Sequence, residues 1–396
     1  MIQGTASKIR LKYAVQLRGE RAEGDKDVRP YIGLEHIESG TGRLIAEVEE
    51  QGENTLIGES LCNVFKPNDV LFGKLRPYLA KTWVANFEGR CTTELLVMKP
   101  VNFEPTYLKY VFLSEDFIKA VDAMTFGSKM PRADWDSIGS QYIYYPTLEY
   151  QRAIANYLDR ETAHIDSLIQ AKKNLLVVLA EKRQALITQA VTQGLNPVVK
   201  LKPSGVDWLG EVPEHWEVKK LKYVADLKSG EFITAESIAE EGMYPVYGGN
   251  GLRGYTSEKT HSGQFVLIGR QGALCGNINY AYGDFWASEH AVVCRMLGND
   301  NVTWLGELLR IMNLNQYSIS AAQPGLSVEV IKNLSLPVPP IKEQTNIADY
   351  ISRDLSKLDK LQMATQDSID LLKERRSALI TAAVTGQIGI VKDYVD

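Results

Sequence analysis

Hydrophobic and polar positions change period along this chain, and they do so twice in the same way. From Ile154, apolar residues recur at steps of three, four or seven: Ile154, Leu158, Ile165, Leu168, Leu175, Leu179 and Leu186, interrupted by Glu161, Lys172 and Lys182. Ile347, Ile351, Leu358, Leu361, Leu372 and Leu379 repeat the pattern further on. Heptad-like spacing sustained without internal Gly or Pro predicts long coiled-coil helices. Pro146 and the pair Pro339-Pro340 sit where such helices begin, and Gly194 and Gly386 where they stop. A helix of about 45 residues is roughly 65 Å long, more than the width of a domain of ~140 residues, so the two helices are expected to pack on each other.

The stretches before them read differently. Short apolar runs such as DVLFGKL (Asp69 to Leu75), ELLVMK (Glu94 to Lys99), FVLIGR (Phe265 to Arg270) and AVVCRML (Ala291 to Leu297) are bounded by Gly, Pro and Asn, as strands are. Helical pieces such as Thr106 to Val121 lie between them.

These halves are copies of one unit. QRAIANYLDRETAHIDSLIQAK from Gln151 recurs as QTNIADYISRDLSKLDKLQMAT from Gln344, and EKRQALITQAVT from Glu181 as ERRSALITAAVT from Glu374, both at an offset of 193 residues. RLKYAVQLR (Arg10 to Arg18) and KLKYVADLK (Lys220 to Lys228) match at an offset of 210, so the bodies in between differ in length. The expected class is α+β, with two mixed strand-rich bodies separated by two long antiparallel coiled-coil helices in a pseudo-two-fold repeat. The expected boundaries are 1–145 for body one, 146–194 for the first helix, 195–214 for a linker, 215–337 for body two, 338–388 for the second helix and 389–396 for a tail. The linker carries three prolines and three glycines between Gly194 and Trp216, and is expected to dock on body two through Trp208 and Trp216.

Composition narrows the function. With 44% hydrophobic and 23% charged residues the chain is in the ordinary globular range. It has no apolar stretch near the ~20 residues a membrane span needs. Lys8, Arg10 and Lys12 interrupt any signal-peptide core, so a cytoplasmic location and no membrane partner are expected. A net charge of −5 excludes a protein coated in positive charge but not a local basic groove. Cys62, Cys91, Cys275 and Cys294 lie far apart without metal-ligand spacing, which points to buried free thiols and no metal.

Catalytic motifs are missing. There is no phosphate loop, no H-E-x-x-H and no G-x-S-x-G. The glycine-rich run Tyr247 to Gly251 lacks a following helix, so it does not read as a cofactor site. Glu289-His290 is the best acid–base pair on paper, but adjacent strand positions point to opposite faces.

Several phrases resemble the DNA-specificity subunit of type I restriction–modification enzymes. They are PPIKEQ (Pro339 to Gln344), LLKERRSALITAAVTGQI (Leu371 to Ile388), its partner AEKRQALITQAVTQGL (Ala180 to Leu195) and GVDWLGEVPEHWEVKKLK (Gly205 to Lys222). LRPYLAK (Leu75 to Lys81) and VYGGNGLRGYTSE (Val246 to Glu258) are similar to that family's target-recognition domains. The first copy departs from the pattern, with YYPTLEYQ (Tyr144 to Gln151) in place of VPPIKEQ, and its start lacks a counterpart of WLGEVPEHW.

The resemblance implies two target-recognition domains that each read half of a split site in double-stranded DNA. It also implies two methyltransferase subunits and motor–nuclease subunits as partners. S-adenosylmethionine, ATP and magnesium would belong to those partners, leaving this chain non-catalytic and without a cofactor. Candidate DNA contacts in body one are Lys74, Arg76, Tyr78 and Lys81, with Lys129 and Arg132; in body two they are Asn250, Arg253, Arg270, Gln271 and Asn277. Lys182, Arg183, Arg375 and Arg376 flank the helical seams and are candidate partner contacts. The alternatives are a specificity subunit serving one fused cleavage–methylation partner, and a coiled-coil scaffold that binds no DNA.

Overall fold

The computed structural model describes residues 7–23, 27–45, 61–272, 274–318 and 325–388; the 389–396 tail lies outside them. Two helices dominate, Leu148–Gln193 and Ile341–Val384, of 46 and 44 residues. Both start just after the predicted prolines and stop before the predicted glycines. Gly194 and Gly386 adopt φ +78° and +75°, a left-handed conformation that glycine reaches without a Cβ clash. Past the second helix, the Gln387 amide donates to the Ala382 carbonyl at 2.8 Å and satisfies one of the helix's last free acceptors.

The chain divides into two compact units, residues 1–173 with 366–396, and residues 174–365. Each contains one sheet-rich body and portions of both helices.

In the first unit, strand Ser7–Arg10 pairs antiparallel with Tyr142–Tyr145. Two four-stranded sheets follow. One is ordered Val15–Leu17, Leu95–Pro100, Val70–Gly73, Thr82–Val84, and the other Arg21–Glu23, Leu61–Phe65, Gly89–Cys91, Tyr31–Ile32. The predicted helical piece 106–121 is two helices, Pro105–Leu113 and Glu115–Asp122. The break falls at Ser114, whose ψ of 141° is extended and whose hydroxyl donates back to the Val111 carbonyl at 2.6 Å. Phe72, Phe112 and Phe117 cluster with ring centroids 5.1–5.8 Å apart. That core continues into Ile154, Leu158, Ile380 and Val384, which fixes the helical segments to the body. Each such side chain, fully buried, contributes about 1.5–3 kcal/mol.

In the second unit, Glu217–Lys220 pairs antiparallel with Ser335–Val338, the counterpart of the strand pair in the first. The main sheet has six strands, ordered Ala225–Ser229, Ala291–Met296, His261–Gly269, Ile278–Ala287, Tyr244–Gly248, Gly251–Thr256. Trp216 is fully buried and Trp208 packs on the same core, as expected of the linker's end. The linker also holds a small ladder, Leu201–Pro203 with Glu211–Pro213. Ile187 and Val191 share that core with Ile347, Ile351 and Leu355.

In each unit the helical segments run antiparallel. Arg376 meets Asp166 in the first and Arg183 meets Asp359 in the second, and both pairs of residue numbers add to 542, one common register. The seam differs from the hydrophobic reading. It passes through Leu158, Thr162, Ile165 and Ile169, all buried, whereas Leu168, Leu175 and Leu361 are 39–46% exposed. A threonine occupies a seam position, and counting apolar residues alone steps around it.

Candidate nucleic-acid interface

The fold joins the two basic segments of body one. Leu75 and Arg132 form a backbone bridge, and the Arg76 amide donates to the Pro131 carbonyl at 2.7 Å. The sequence therefore runs Lys74 to Lys81 alongside Lys129 to Arg132. Within this patch the side chains have different tasks. Lys81 Nζ donates to the Leu34 carbonyl at 2.5 Å, and its burial lowers its pKa from the ordinary lysine value. Arg132 is committed to Glu94, Nη2 to Oε1 3.1 Å. Lys81 is thus tied to the backbone of its own body, and Arg132 is held by Glu94 with its side chain 39% exposed.

Lys74 is half-exposed, Tyr78 is 50% exposed and Lys129 is exposed. Arg76 has φ +50°, an uncommon and strained conformation for a side-chain-bearing residue, and its Nε is buried without a hydrogen-bond partner. Lys74, Arg76, Tyr78 and Lys129 are the part of the patch with capacity to spare for a ligand.

In body two the glycine-rich run forms a tight hairpin, Tyr244–Gly248 and Gly251–Thr256, with Gly249 and Asn250 at its tip. Asn277 Nδ2 donates to Asn250 Oδ1 at 2.9 Å, uniting two candidates. Arg253 lies three residues beyond the hairpin tip and is exposed. The Arg270 amide donates to the His290 carbonyl at 2.9 Å, and Gln271 bridges Gly325. Glu289 and His290 sit in a turn rather than a strand, and their side chains meet at 3.1 Å. That corrects the expectation that they point apart, since the two-face rule holds only for extended strands.

The helix cations also separate. Lys182 and Arg375 are exposed. Arg183 Nε lies 3.5 Å from Asp359. Arg376 is 8% exposed and donates to Asp166 Oδ1 at 3.0 Å, the Gly40 carbonyl at 2.8 Å and the Thr41 carbonyl at 3.3 Å. Desolvation lowers its pKa from the ordinary arginine value. Arg376 is an internal clamp and is not open to a partner subunit, which corrects its assignment as a surface contact.

Two residues escaped the sequence reading. Gln151 and Gln344, one repeat apart, are buried at 0% and 1% exposure. Gln151 accepts from the Glu104 amide at 2.9 Å and donates to the Pro146 carbonyl at 2.9 Å. Gln344 accepts from the Asn301 amide at 2.8 Å and donates to the Pro339 carbonyl at 3.0 Å. Each ties the start of a long helix to the amide of the residue that caps a short helix in its body, Glu104 before Pro105–Leu113 and Asn301 before Val302–Ile311. Their shared spacing, Pro then Gln five residues on, is the signal that could have found them.

All four cysteines are buried thiols, and none forms a disulfide. Among the described residues no group of three or more His, Cys, Asp and Glu side chains is placed to hold a metal ion. Among those residues no helix is long and apolar enough to cross a membrane.

Residues 213–370 match the family model described as the type I restriction modification DNA specificity domain. The chain is 45% identical over 147 residues to the type I restriction enzyme EcoprrI specificity subunit of Escherichia coli, a match covering 36% of each protein. It is 22% identical over 395 residues to the MjaVIII specificity subunit of Methanocaldococcus jannaschii, covering 91% of this chain and 86% of that one. In fold it is similar to a chain in a solved type I restriction–modification system, with TM-score 0.73, 19% identity and coverage of 97% and 98%. It is similar also to the HsdS subunit of Thermoanaerobacter tengcongensis, with TM-score 0.57 at the same identity and coverage.

Proposed function

Since this chain belongs to the DNA-specificity subunits of type I restriction–modification systems, we propose that its two sheet-rich bodies each read one half of a split DNA target. The observation that carries this reading is a common frame bearing unlike bodies. Strand pair, glutamine tie and helix register recur one repeat apart. The sheets between them keep one strand order, Val15–Leu17, Leu95–Pro100, Val70–Gly73, Thr82–Val84 in one body and Ala225–Ser229, Ala291–Met296, His261–Gly269, Ile278–Ala287 in the other. Among the described residues they differ in strand length, and the first body forms two four-stranded sheets where the second forms one of six. A frame kept alike serves a partner met twice, and bodies that differ serve two different half-sequences.

On this reading the helices carry two methyltransferase subunits, and motor–nuclease subunits join the complex in the cytoplasm. Methyl transfer and cleavage then use S-adenosylmethionine, ATP and magnesium on those partners, and this chain supplies address rather than chemistry. Phosphate contacts position such a protein and base contacts specify the site, so the patches at Lys74–Lys129 and Asn250–Asn277 have separable duties. The test is to exchange residues 215–337 for the same body of a relative and sequence the methylome of cells carrying the hybrid. One half-sequence should change and the other persist. A change in both halves rejects the modular reading.

A further inference from the structure

Four arginines lie in the body of residues 215–337, and they separate by partner. Arg295 Nη2 is 3.8 Å from Asp226, and Arg310 Nε is 3.2 Å from Glu307. Arg253 and Arg270 make no ion pair and no side-chain hydrogen bond among the described residues. Those two unpaired arginines border the same turn. A β-carbon on Gly248 would fall 2.5 Å from Arg253 Cδ, so the arginine stem crosses over that glycine. A β-carbon on Gly249 would press on the His290 carbonyl oxygen at 3.0 Å, with the Arg270 amide nitrogen 3.8 Å away. The glycines let the hairpin tip settle onto the backbone that carries Arg270.

The carboxylate next to the His290 backbone, Glu289, is paired with the His290 ring at 3.1 Å, and the turn's own segment carries none. No Asp or Glu occurs between Gly242 and Ser257. The amides of Gly249 and Asn250 take no backbone partner among the described residues. Asn250 and Asn277 spend one acceptor and one donor on each other at 2.9 Å, which holds the tip in place and removes part of the amide edge a base would need.

We propose that the Gly248–Gly251 turn, with Arg253 and Arg270, grips DNA phosphates and sets the register of body two on the duplex without reading its sequence. The proposal rests on the DNA-binding function proposed above and assigns this turn to positioning. Guanidinium groups and free turn amides match phosphate oxygens in charge and geometry.

The experiment uses the full chain in its complex with the methyltransferase, bound to duplexes carrying the site that complex methylates. Arg253→Ala and Arg270→Ala should each weaken binding about tenfold at fixed salt. Each should also flatten the dependence of log K on log salt by about one unit. Arg253→Lys and Arg270→Lys should restore the slope, which a packing role would not require. The methylated motif in cells should keep its sequence. Unchanged slopes in both alanine variants overturn the proposal, and so does a motif relaxed at one base pair of its half-site, which marks a base reader. Where an alanine variant fails to assemble, Arg→Gln at that position is judged by the same outcomes. A wild-type complex that prefers its own site no more than a scrambled duplex overturns the DNA-specificity reading instead.

Discussion

Arg376 and Asp166 are joined by a 3.0 Å hydrogen-bonded ion pair, and Arg183 and Asp359, each 193 residues away in sequence, are paired in the other unit at 3.5 Å. The same two residue types thus meet twice, with their order along the chain reversed. What differs is burial. The side chains of the first pair are 10% and 17% exposed, against 35% and 51% for the second. Arg43 also bonds Asp166, and Arg376 reaches two backbone carbonyls besides. A frame repeated in sequence has become a buried clamp on one side and a surface pair on the other.

That difference predicts unequal costs. Removing Arg376 leaves the Gly40 and Thr41 carbonyls without their donor, at about 1–3 kcal/mol each, and a void where the guanidinium was packed, while Asp166 keeps Arg43. An exposed pair is worth roughly 1 kcal/mol or less. Arg376→Ala should therefore lower the urea midpoint of the first unit strongly, and Arg183→Ala should barely move that of the second. Unfolding of the full chain, followed by probes specific to each unit, checks this. Equal shifts reject it.

The glutamine ties make a second prediction. Gln344→Leu keeps approximate volume but leaves the Asn301 amide and the Pro339 carbonyl without their partner, and also removes the 2.6 Å donation to Asp300. Buried groups left unpaired cost about 1–3 kcal/mol each, so a loss of a few kcal/mol is expected. Gln151→Leu should cost a similar amount in the first unit. Hydrogen exchange at Glu104 and Asn301, the amides each side chain covers, is the local readout. Exchange there should quicken in the matching variant alone.

Much of the frame was legible because helix ends and repeats are written locally. Pro146, Pro339 and the glycines at 194 and 386 bracket both helices, and the constant offset of 193 shows that they are equivalent. The seam was less legible. Thr162 enters it with its hydroxyl 3.1 Å from that of Tyr110, so its polarity is satisfied across the chain by a residue 52 positions away. The candidate interface was legible by composition and not by duty. Lys81 and Arg132 look as free as Lys74 and Lys129 in sequence, and only the fold brings the Leu34 carbonyl and Glu94 to them. Arg375 and Arg376 are neighbours of one charge, and a 100° step around the helix separates solvent from core.

Thiol chemistry gives a third expectation. Burial pushes the Cys294 thiol up to about 12, from an ordinary value of 9.0. The folded protein therefore holds a proton that the unfolded chain releases first. This contribution to stability is full below pH ~9 and falls as pH rises from there toward 12. Native protein at pH 8 should resist iodoacetamide at Cys62, Cys91, Cys275 and Cys294, all buried, and become alkylated at all four after unfolding. Mass spectrometry counts the adducts. Rapid labelling of the folded chain would contradict the packing described.

The exposed cations carry the last prediction. Lys182 and Arg375 stand one repeat apart, 193 residues, both on open helix surface, beside Arg183 and Arg376, which pair with Asp359 and Asp166. If the common frame is met twice by one kind of methyltransferase subunit, each subunit meets one of these two cations in an equivalent setting. Lys182→Glu should then weaken one of the two attachments and Arg375→Glu the other. Turning an attraction of ~1 kcal/mol at an interface rim into a repulsion lowers affinity by about tenfold or somewhat more. Native mass spectrometry of the co-expressed complex should therefore show single variants shifted toward one methyltransferase per chain, and the double variant toward none. Thermal stability of the isolated chain should stay unchanged, because neither side chain is packed, which separates this outcome from the unfolding expected of Arg376→Ala. Two bound subunits at wild-type occupancy in the double variant would place the docking surface elsewhere on the frame.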